Sequence, residues 1–273
     1  MSERPPLPVT AAGLDTLAVA DRIAREAGTL LASAAPEARE KLTVKSRRSW
    51  VTKSDHASEA LILLRLGEAF PQHAVLAEES RPDTNWEHGY VWVIDPLDGT
   101  RNFVAGIPLF CVNIALALDG EVLLGATYDP NRDSCVLGAP GRGLTVNGEP
   151  ASASAAPDLA SAIVTADLGF DDRRGSLMLE LLHRLWPQVQ GCRVLGSAAI
   201  GLAWAAAGLT DVMVHSMLYP WDVAAALGQM PAGGGLILDR DGGPATLGSE
   251  GVVAGAPAPV RELMTLVKGQ PWR

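Results

Sequence analysis

Between residues 14 and 31 apolar side chains recur at helical spacing, at Leu17, Ala20, Ala24, Ala27 and Leu31. Asp21, Arg22, Arg25 and Glu26 fall largely on the other side. That period predicts an amphipathic surface helix. A second helical pattern, with Ser54 or Asp55 as its N-cap, runs through Ala60, Leu61 and Leu64 to Phe70. The pattern then changes to short apolar runs. Residues 75–77 and 91–94 each end in acids, Glu78-Glu79 and Asp95, as strands feeding loops do. Val112, Ile114, Leu116 and Leu118 alternate along one face of a strand, and Asp119-Gly120 joins it to another β-rich run at 121–128 as a hairpin. Turn residues at Asp129-Pro130-Asn131, Gly141-Arg142-Gly143 and Asn147-Gly148 extend this into an antiparallel meander flanked by helices.

A small-residue stretch at 151–157 marks a boundary between an N-terminal α+β subdomain, 1–150, and a C-terminal α/β subdomain, 151–273. Beyond it strands at 161–165, 193–195, 212–214, 236–239 and 252–254 alternate with helices at 176–186, 197–207, 222–230 and 260–268. Gly208 closes the second of these helices. Such alternation predicts an α/β layered second half.

The 273 residues suffice for two packed subdomains. With 48% hydrophobic and 19% charged residues the chain reads as an ordinary soluble globular protein. A formal charge of −9 argues against a general polyanion binder, so no nucleic-acid partner is expected. An anionic substrate would need local cations or a metal. Cys111, Cys135 and Cys192 are odd in number and lack metal-ligand spacing, which predicts reduced structural thiols. Neither a signal-peptide core nor a run of membrane-spanning length is present, and a cytoplasmic location is expected.

Chemistry concentrates in Asp95-Pro96-Leu97-Asp98-Gly99-Thr100-Arg101-Asn102-Phe103, where a buried strand ends in two aspartates three residues apart. Carboxylates crowded onto a fixed turn repel one another unless a cation sits among them, and oxygen ligands suit Mg²⁺ better than Zn²⁺. Glu78 could share that ion or be a solvated loop charge. Asp55 and Asp222, each at a helix start, could be caps or site residues. Gly196-Ser197-Ala198-Ala199 is either a tight turn or a set of free helix-start amides for a phosphate or sugar hydroxyl.

Taken together, these segments, with Val51-Thr52-Lys53-Ser54-Asp55 and Trp221-Asp222-Val223-Ala224, occur in the order and approximate spacing of the inositol monophosphatase family, which the chain resembles over nearly its full length. The resemblance implies a layered αβαβα sandwich and a homodimer. It also implies a lithium-sensitive, Mg²⁺-dependent phosphomonoesterase with two or three ions, acting on a small-molecule phosphate monoester through metal-activated water. One ion would be held by Glu78, Asp95 and the Leu97 carbonyl, a second by Asp95, Asp98 and Asp222, and in some relatives a weaker third near Glu78. Asp55, Thr100 and Glu78 would be the catalytic residues, Thr100 orienting the water through its bond to Asp55. Asp98, Gly99, Thr100, Gly196, Ser197, Ala198, His215 and Asp222 would contact substrate.

The chain also departs from the family pattern. His215 stands where inositol-specific relatives carry a glutamate that contacts a substrate hydroxyl; it could equally be a plain strand-end residue. Ala77 replaces a glycine, Ser49 an aspartate, and Lys45 is offset from a family lysine near the metals. Inositol 1-phosphate is the default substrate, with histidinol phosphate or a sugar phosphate as alternatives. Arg101-Asn102-Phe103 differs from the Lys-Glu-Phe form of relatives that act on 3′-phosphoadenosine 5′-phosphate, a further alternative. A reading of another class is a non-catalytic regulatory or RNA-associated binding protein.

Overall fold

A computed structural model describes residues 5–35, 42–46, 49–81, 83–269 and 272. The side chains of Lys45 and Ser49 lie outside the described residues. In chain order the elements are α1 (Thr16–Ala34), β1 (Leu42–Ser46), β2 (Ser49–Thr52), α2 (Lys53–Ala69), β3 (Ala74–Ala77), β4 (Tyr90–Asp98), α3 (Thr100–Ala105), β5 (Cys111–Leu118) and β6 (Glu121–Asp129). There follow β7 (Ser134–Ala139), β8 (Gly143–Val146), β9 (Glu149–Ala151), β10 (Ile163–Ala166), α4 (Asp172–Leu185), β11 (Gly191–Val194) and α5 (Ala198–Ala206). The last elements are β12 (Val212–His215), α6 (Pro220–Ala232), β13 (Leu236–Asp239), β14 (Val252–Gly255) and α7 (Pro257–Leu266).

These elements build five layers. Helices α1 and α2 cover one face of a seven-stranded sheet, ordered β3-β4-β5-β6-β7-β8-β9, burying Ile23, Leu31, Ile62 and Leu66 against Trp92, Ile94 and Ile114. On the opposite face lie α5 and α6, whose other side meets a five-stranded sheet, ordered β11-β10-β12-β14-β13. Its far face is closed by α4 and α7 through Met178, Leu181, Val260 and Leu263. Helix α6 reaches the first sheet closely because Gly125 on β6 has no side chain: a Cβ there would stand 2.1 Å from the Ala225 carbonyl oxygen.

The sheets depart from the sequence reading in one functionally important place. Strands β3 and β4 pair in parallel, with Ala77 opposite Ile94, whereas β4 through β9 form the expected antiparallel meander. The intervening segment is long enough for a crossover. The parallel pairing delivers Glu78 and Asp95 at the same sheet edge. A second departure is α3, six residues long, which the turn-rich motif conceals. Helix α4 also starts earlier than its apolar period, because the Asp171 side chain caps it by accepting from the Arg174 amide at 2.8 Å.

Candidate active site

Strand β4 carries the central acids through an irregularity in its ladder. Asp95 pairs with Asn113 and Asp98 with Cys111, so three steps along β4 oppose two along β5. A bulge of this kind bends a strand and re-aims its side chains. Gly99 follows with φ +91, a backbone state that favours glycine; a Cβ there would also meet the Leu109 carbonyl oxygen at 2.8 Å. Gly196, at φ +75, abuts Asn102, whose Nδ2 donates to both the Leu109 and Leu195 carbonyls at 2.8 Å. Thus the turn before α5 is fastened to α3.

Asp95, Asp98 and Asp222 are 2%, 8% and 8% exposed, and an oxygen from each lies within 4.8 Å of the others. One oxygen of each is engaged by protein donors. Asp95 Oδ1 accepts from the Leu97 amide at 3.0 Å and Asp222 Oδ2 from the Tyr219 amide at 2.8 Å. Asp98 Oδ2 accepts from the Ser197 hydroxyl and, at 3.0 Å, from the Ala199 amide, with the Cys111 thiol 3.7 Å away. Among the described residues no basic side chain forms an ion pair with any of the three.

The electrostatics follow from that arrangement. Burial, then repulsion from Glu78, Asp98 and Asp222, lifts the Asp95 carboxyl well above its ordinary range. Burial raises Asp98 to about 6 even though Ser197 opposes it, and burial with Asp98 nearby raises Asp222 to about 8. A buried, all-carboxylate set with no basic partner fits a hard divalent cation, and Mg²⁺ in particular is held by a few carboxylates plus waters. Because the folded-state values exceed those of the unfolded chain, the metal-free fold binds more protons than the unfolded chain. The stabilisation is complete below the unfolded carboxylate value and is lost as pH rises through about 6 and about 8. Metal-free Tm is expected to fall between about pH 5 and about pH 8.5, with Mg²⁺ raising Tm most at the alkaline end. Differential scanning calorimetry checks this; a flat metal-free profile would contradict it.

Asp55 and Asp222 share a local device. Each is the third residue of its helix and ties one oxygen to the amide of the preceding cap residue. The N-cap of α2 is Thr52, not Ser54 or Asp55: Thr52 donates to Asp55 Oδ2 from its amide at 2.7 Å and from its hydroxyl at 2.6 Å. Asp55 Oδ1 then accepts from the Thr100 hydroxyl at 3.2 Å, which also reaches the Leu97 carbonyl at 3.1 Å. Capping and a site role are therefore compatible, one per oxygen. Burial lifts Asp55 to about 6 against the Thr52 bonds.

A pocket gathers Glu78, Asp95, Leu97, Asp98, Gly99, Thr100, Gly196, Ala198, His215 and Asp222. Two expected residues lie behind it. Asp55 backs Thr100, and Ser197 is buried beneath Asp98 while capping α5 through the Ile200 amide, so the Ser197 hydroxyl and the Ala199 amide are spent on Asp98 rather than free for a ligand. Sequence reasoning missed Asp167, Arg101, Phe170 and Tyr219, which also line the pocket. Asp167 had a signal: it follows the apolar run of β10 just as Glu78 follows β3.

A buried polar chain fixes α6 to the first sheet. Gln229 Nε2 donates to Thr127 Oγ1 at 2.9 Å, Thr127 to Asn113 Oδ1 at 2.7 Å, and Asn113 Nδ2 to the Trp221 carbonyl at 2.7 Å, one residue before Asp222. Asn113→Ala takes away the acceptor of the buried Thr127 hydroxyl and a side-chain donor to the Trp221 carbonyl, and is expected to cost about 1–3 kcal/mol. It is also expected to weaken Mg²⁺ affinity about tenfold or more, the usual scale for groups that orient ligands. Isothermal titration with Mg²⁺ alongside a melting curve separates the two effects; a lower Tm with unaltered Mg²⁺ affinity would confine the network to folding.

The three cysteines are free. Burial and the neighbouring Asp98 push the Cys111 thiol well above its ordinary value, which keeps it a weak donor rather than a nucleophile.

Comparison with known proteins gives consistent matches. The sequence profile described as inositol monophosphatase family matches residues 14–269. The chain is 33% identical over 257 residues to the Nus factor SuhB of Salmonella typhimurium, covering 93% of this chain and 96% of that protein. It is 33% identical to the inositol monophosphatase of Dictyostelium discoideum, covering 91% and 93%. The crystal structure of the extragenic suppressor protein SuhB from Bartonella henselae superposes with a TM-score of 0.87 at 29% identity, covering 93% and 98%.

Proposed function

The chain belongs to the inositol monophosphatase family, and from that premise we propose that it hydrolyses a small phosphate monoester in a Mg²⁺-dependent reaction without a covalent intermediate. The observation that carries this reading is the buried group of Asp95, Asp98 and Asp222, which has carboxylate oxygens to spare and no basic partner among the described residues. These three, with Glu78 and the Leu97 carbonyl, would hold the metal, two ions or three. Magnesium bound there supplies Lewis acidity, lowering the pKa of water and neutralising phosphoryl charge.

The chain's own contribution is orientation and proton handling. Thr100 Oγ1 donates to Asp55 Oδ1, leaving its lone pairs to accept from the attacking water. With a value of about 6, Asp55 is mostly ionised at neutral pH, so it can draw the water proton through Thr100. The water oxygen forms the new P–O bond in line as the ester P–O bond breaks; one water proton stays with the phosphate, and the one taken up by Asp55 is released to solvent, from which the departing alkoxide takes its proton. Gly99, Thr100, Gly196, Ala198 and His215 line the pocket as candidate substrate contacts.

The family resemblance makes inositol 1-phosphate the default ester to assay, with histidinol phosphate, a sugar phosphate and 3′-phosphoadenosine 5′-phosphate as the alternatives. Phosphate release from a panel of these esters, with Mg²⁺ and with added lithium, tests the proposal. No release from any of them at full metal occupancy would overturn it. The reading further takes 1–150 and 151–273 as two subdomains and a homodimer as the assembly, which light scattering checks.

A second reading is a binding role, favoured by the name Nus factor carried by a similar chain. The net charge of −9 weighs against RNA as its direct partner. An Asp95→Asn protein that loses phosphatase activity yet keeps a partner would separate the two roles.

A further inference from the structure

Two buried polar groups in the pocket belong neither to the acid cluster nor to the Thr100–Asp55 pair. Asp167 is 6% and His215 3% exposed. They stand side by side at the carboxyl ends of the parallel strands β10 and β12, where Ala166 is in register with Val214. His215 Nδ1 accepts from the Met217 amide at 3.0 Å, so the neutral ring carries its hydrogen on Nε2. Burial favours that neutral form. Nε2 has no acceptor among the described residues. Asp167 Oδ1 accepts only from the adjacent Leu168 amide, and Oδ2 accepts from none of them.

A buried carboxylate without a basic partner is costly, and a purely structural role would have supplied one. Asp167 lies outside the group of three acids whose oxygens converge, and its charge adds to the repulsion on Asp98 and Asp222. Arg101, the basic residue that also lines the pocket, is partly exposed and has its guanidinium carbon 5.3 Å from the centroid of the exposed Phe170 ring. The wall therefore offers a ligand one anionic acceptor and one neutral donor.

We propose that Asp167 and His215 form a leaving-group subsite that selects phosphate monoesters of alcohols bearing a protonated amine, the ammonium pairing with Asp167 and His215 Nε2–H donating to a substrate oxygen. This rests on the phosphatase reading. An uncharged polyol leaves the Asp167 carboxylate unpaired, and a site that leaves its buried polar group unpaired discriminates against the ligand that does so.

The test compares kcat/KM, in the full chain with Mg²⁺, for 2-aminoethyl phosphate, propyl phosphate and N-acetyl-2-aminoethyl phosphate. In the wild type the amine ester is expected to exceed propyl phosphate by about tenfold or more, and acetylation to abolish that advantage. In Asp167→Asn the ratio of amine to propyl ester should collapse toward unity, whatever the absolute rates. Equal wild-type rates for the amine and propyl esters, or a ratio untouched by Asp167→Asn, would overturn the selection while leaving the phosphatase reading intact. The wild-type series alone decides the point if the variant does not fold. Failure to release phosphate from any ester, polyol phosphates included, would overturn the phosphatase reading and the selection with it.

Discussion

Asp95→Asn is expected to lower Mg²⁺-dependent phosphate release by about a thousandfold or more, while the metal-free protein becomes more stable. The first effect follows from position. Asp95 is shared between both proposed metal positions, and an amide supplies neither its charge nor its basicity; Lewis-acid stabilisation worth about 4 kcal/mol corresponds to about a thousandfold in rate. The second effect follows from burial. Asp95 is the acid on which Glu78, Asp98 and Asp222 all press, and a neutral amide removes that repulsion along with the desolvation of a charge. Metal-free Tm should therefore rise most near pH 8, where the remaining acids are most ionised, and Mg²⁺ should raise it less than in the wild type. Activity is read by phosphate release and stability by calorimetry on the same preparation. Undiminished turnover would remove Asp95 from the reaction. A fall in metal-free Tm would contradict the repulsion.

Thr100→Ala is expected to lower kcat by about 10²–10⁴-fold, the range of a lost proton-transfer path, with Mg²⁺ affinity little changed. The alanine keeps the backbone but removes the only described link between Asp55 and the pocket. Thr100→Ser, which retains the hydroxyl, should restore most of the rate. Asp55→Asn should match the alanine variant in kcat, because an amide cannot take up the water proton passed through Thr100. Single-turnover kinetics with metal titration checks this pair. A Thr100→Ser protein as slow as Thr100→Ala would argue that the methyl packing, rather than the hydroxyl, is what counts.

The legible part of this molecule was its local physics. The apolar period of α1 reports the face it buries, and the alternation of β5 separates the large side chains packed toward α1 and α2 from the small ones packed toward α6, a property each segment carries by itself. The acids at the end of β4 were conspicuous for the same reason, since carboxylates at the end of an apolar strand have no local explanation. What stayed hidden depended on neighbours remote in sequence. Helix α3 is too short to show a period. Asp55 looked ambiguous because the two claims on it, the Thr52 amide and the Thr100 hydroxyl, are answered by different oxygens. Ser197 looked available for substrate until the fold set Asp98 against it.

By itself the sequence determined which segments are helices and strands and the acidic motifs whose resemblance to one family implies the layered fold, because helical and strand periodicity and strand-end chemistry are encoded within a few residues. The tertiary structure alone decided that β3 runs parallel to β4, that α6 is held against the first sheet by the Gly125 approach and the Asn113 network, and that Asp167 stands beside His215. The reason is that a pocket is a convergence of strand ends and helix starts far apart along the chain. Asp95 and Asp222 are separated by more than a hundred residues in sequence and meet only because the sheets and the helix between them pack in that order.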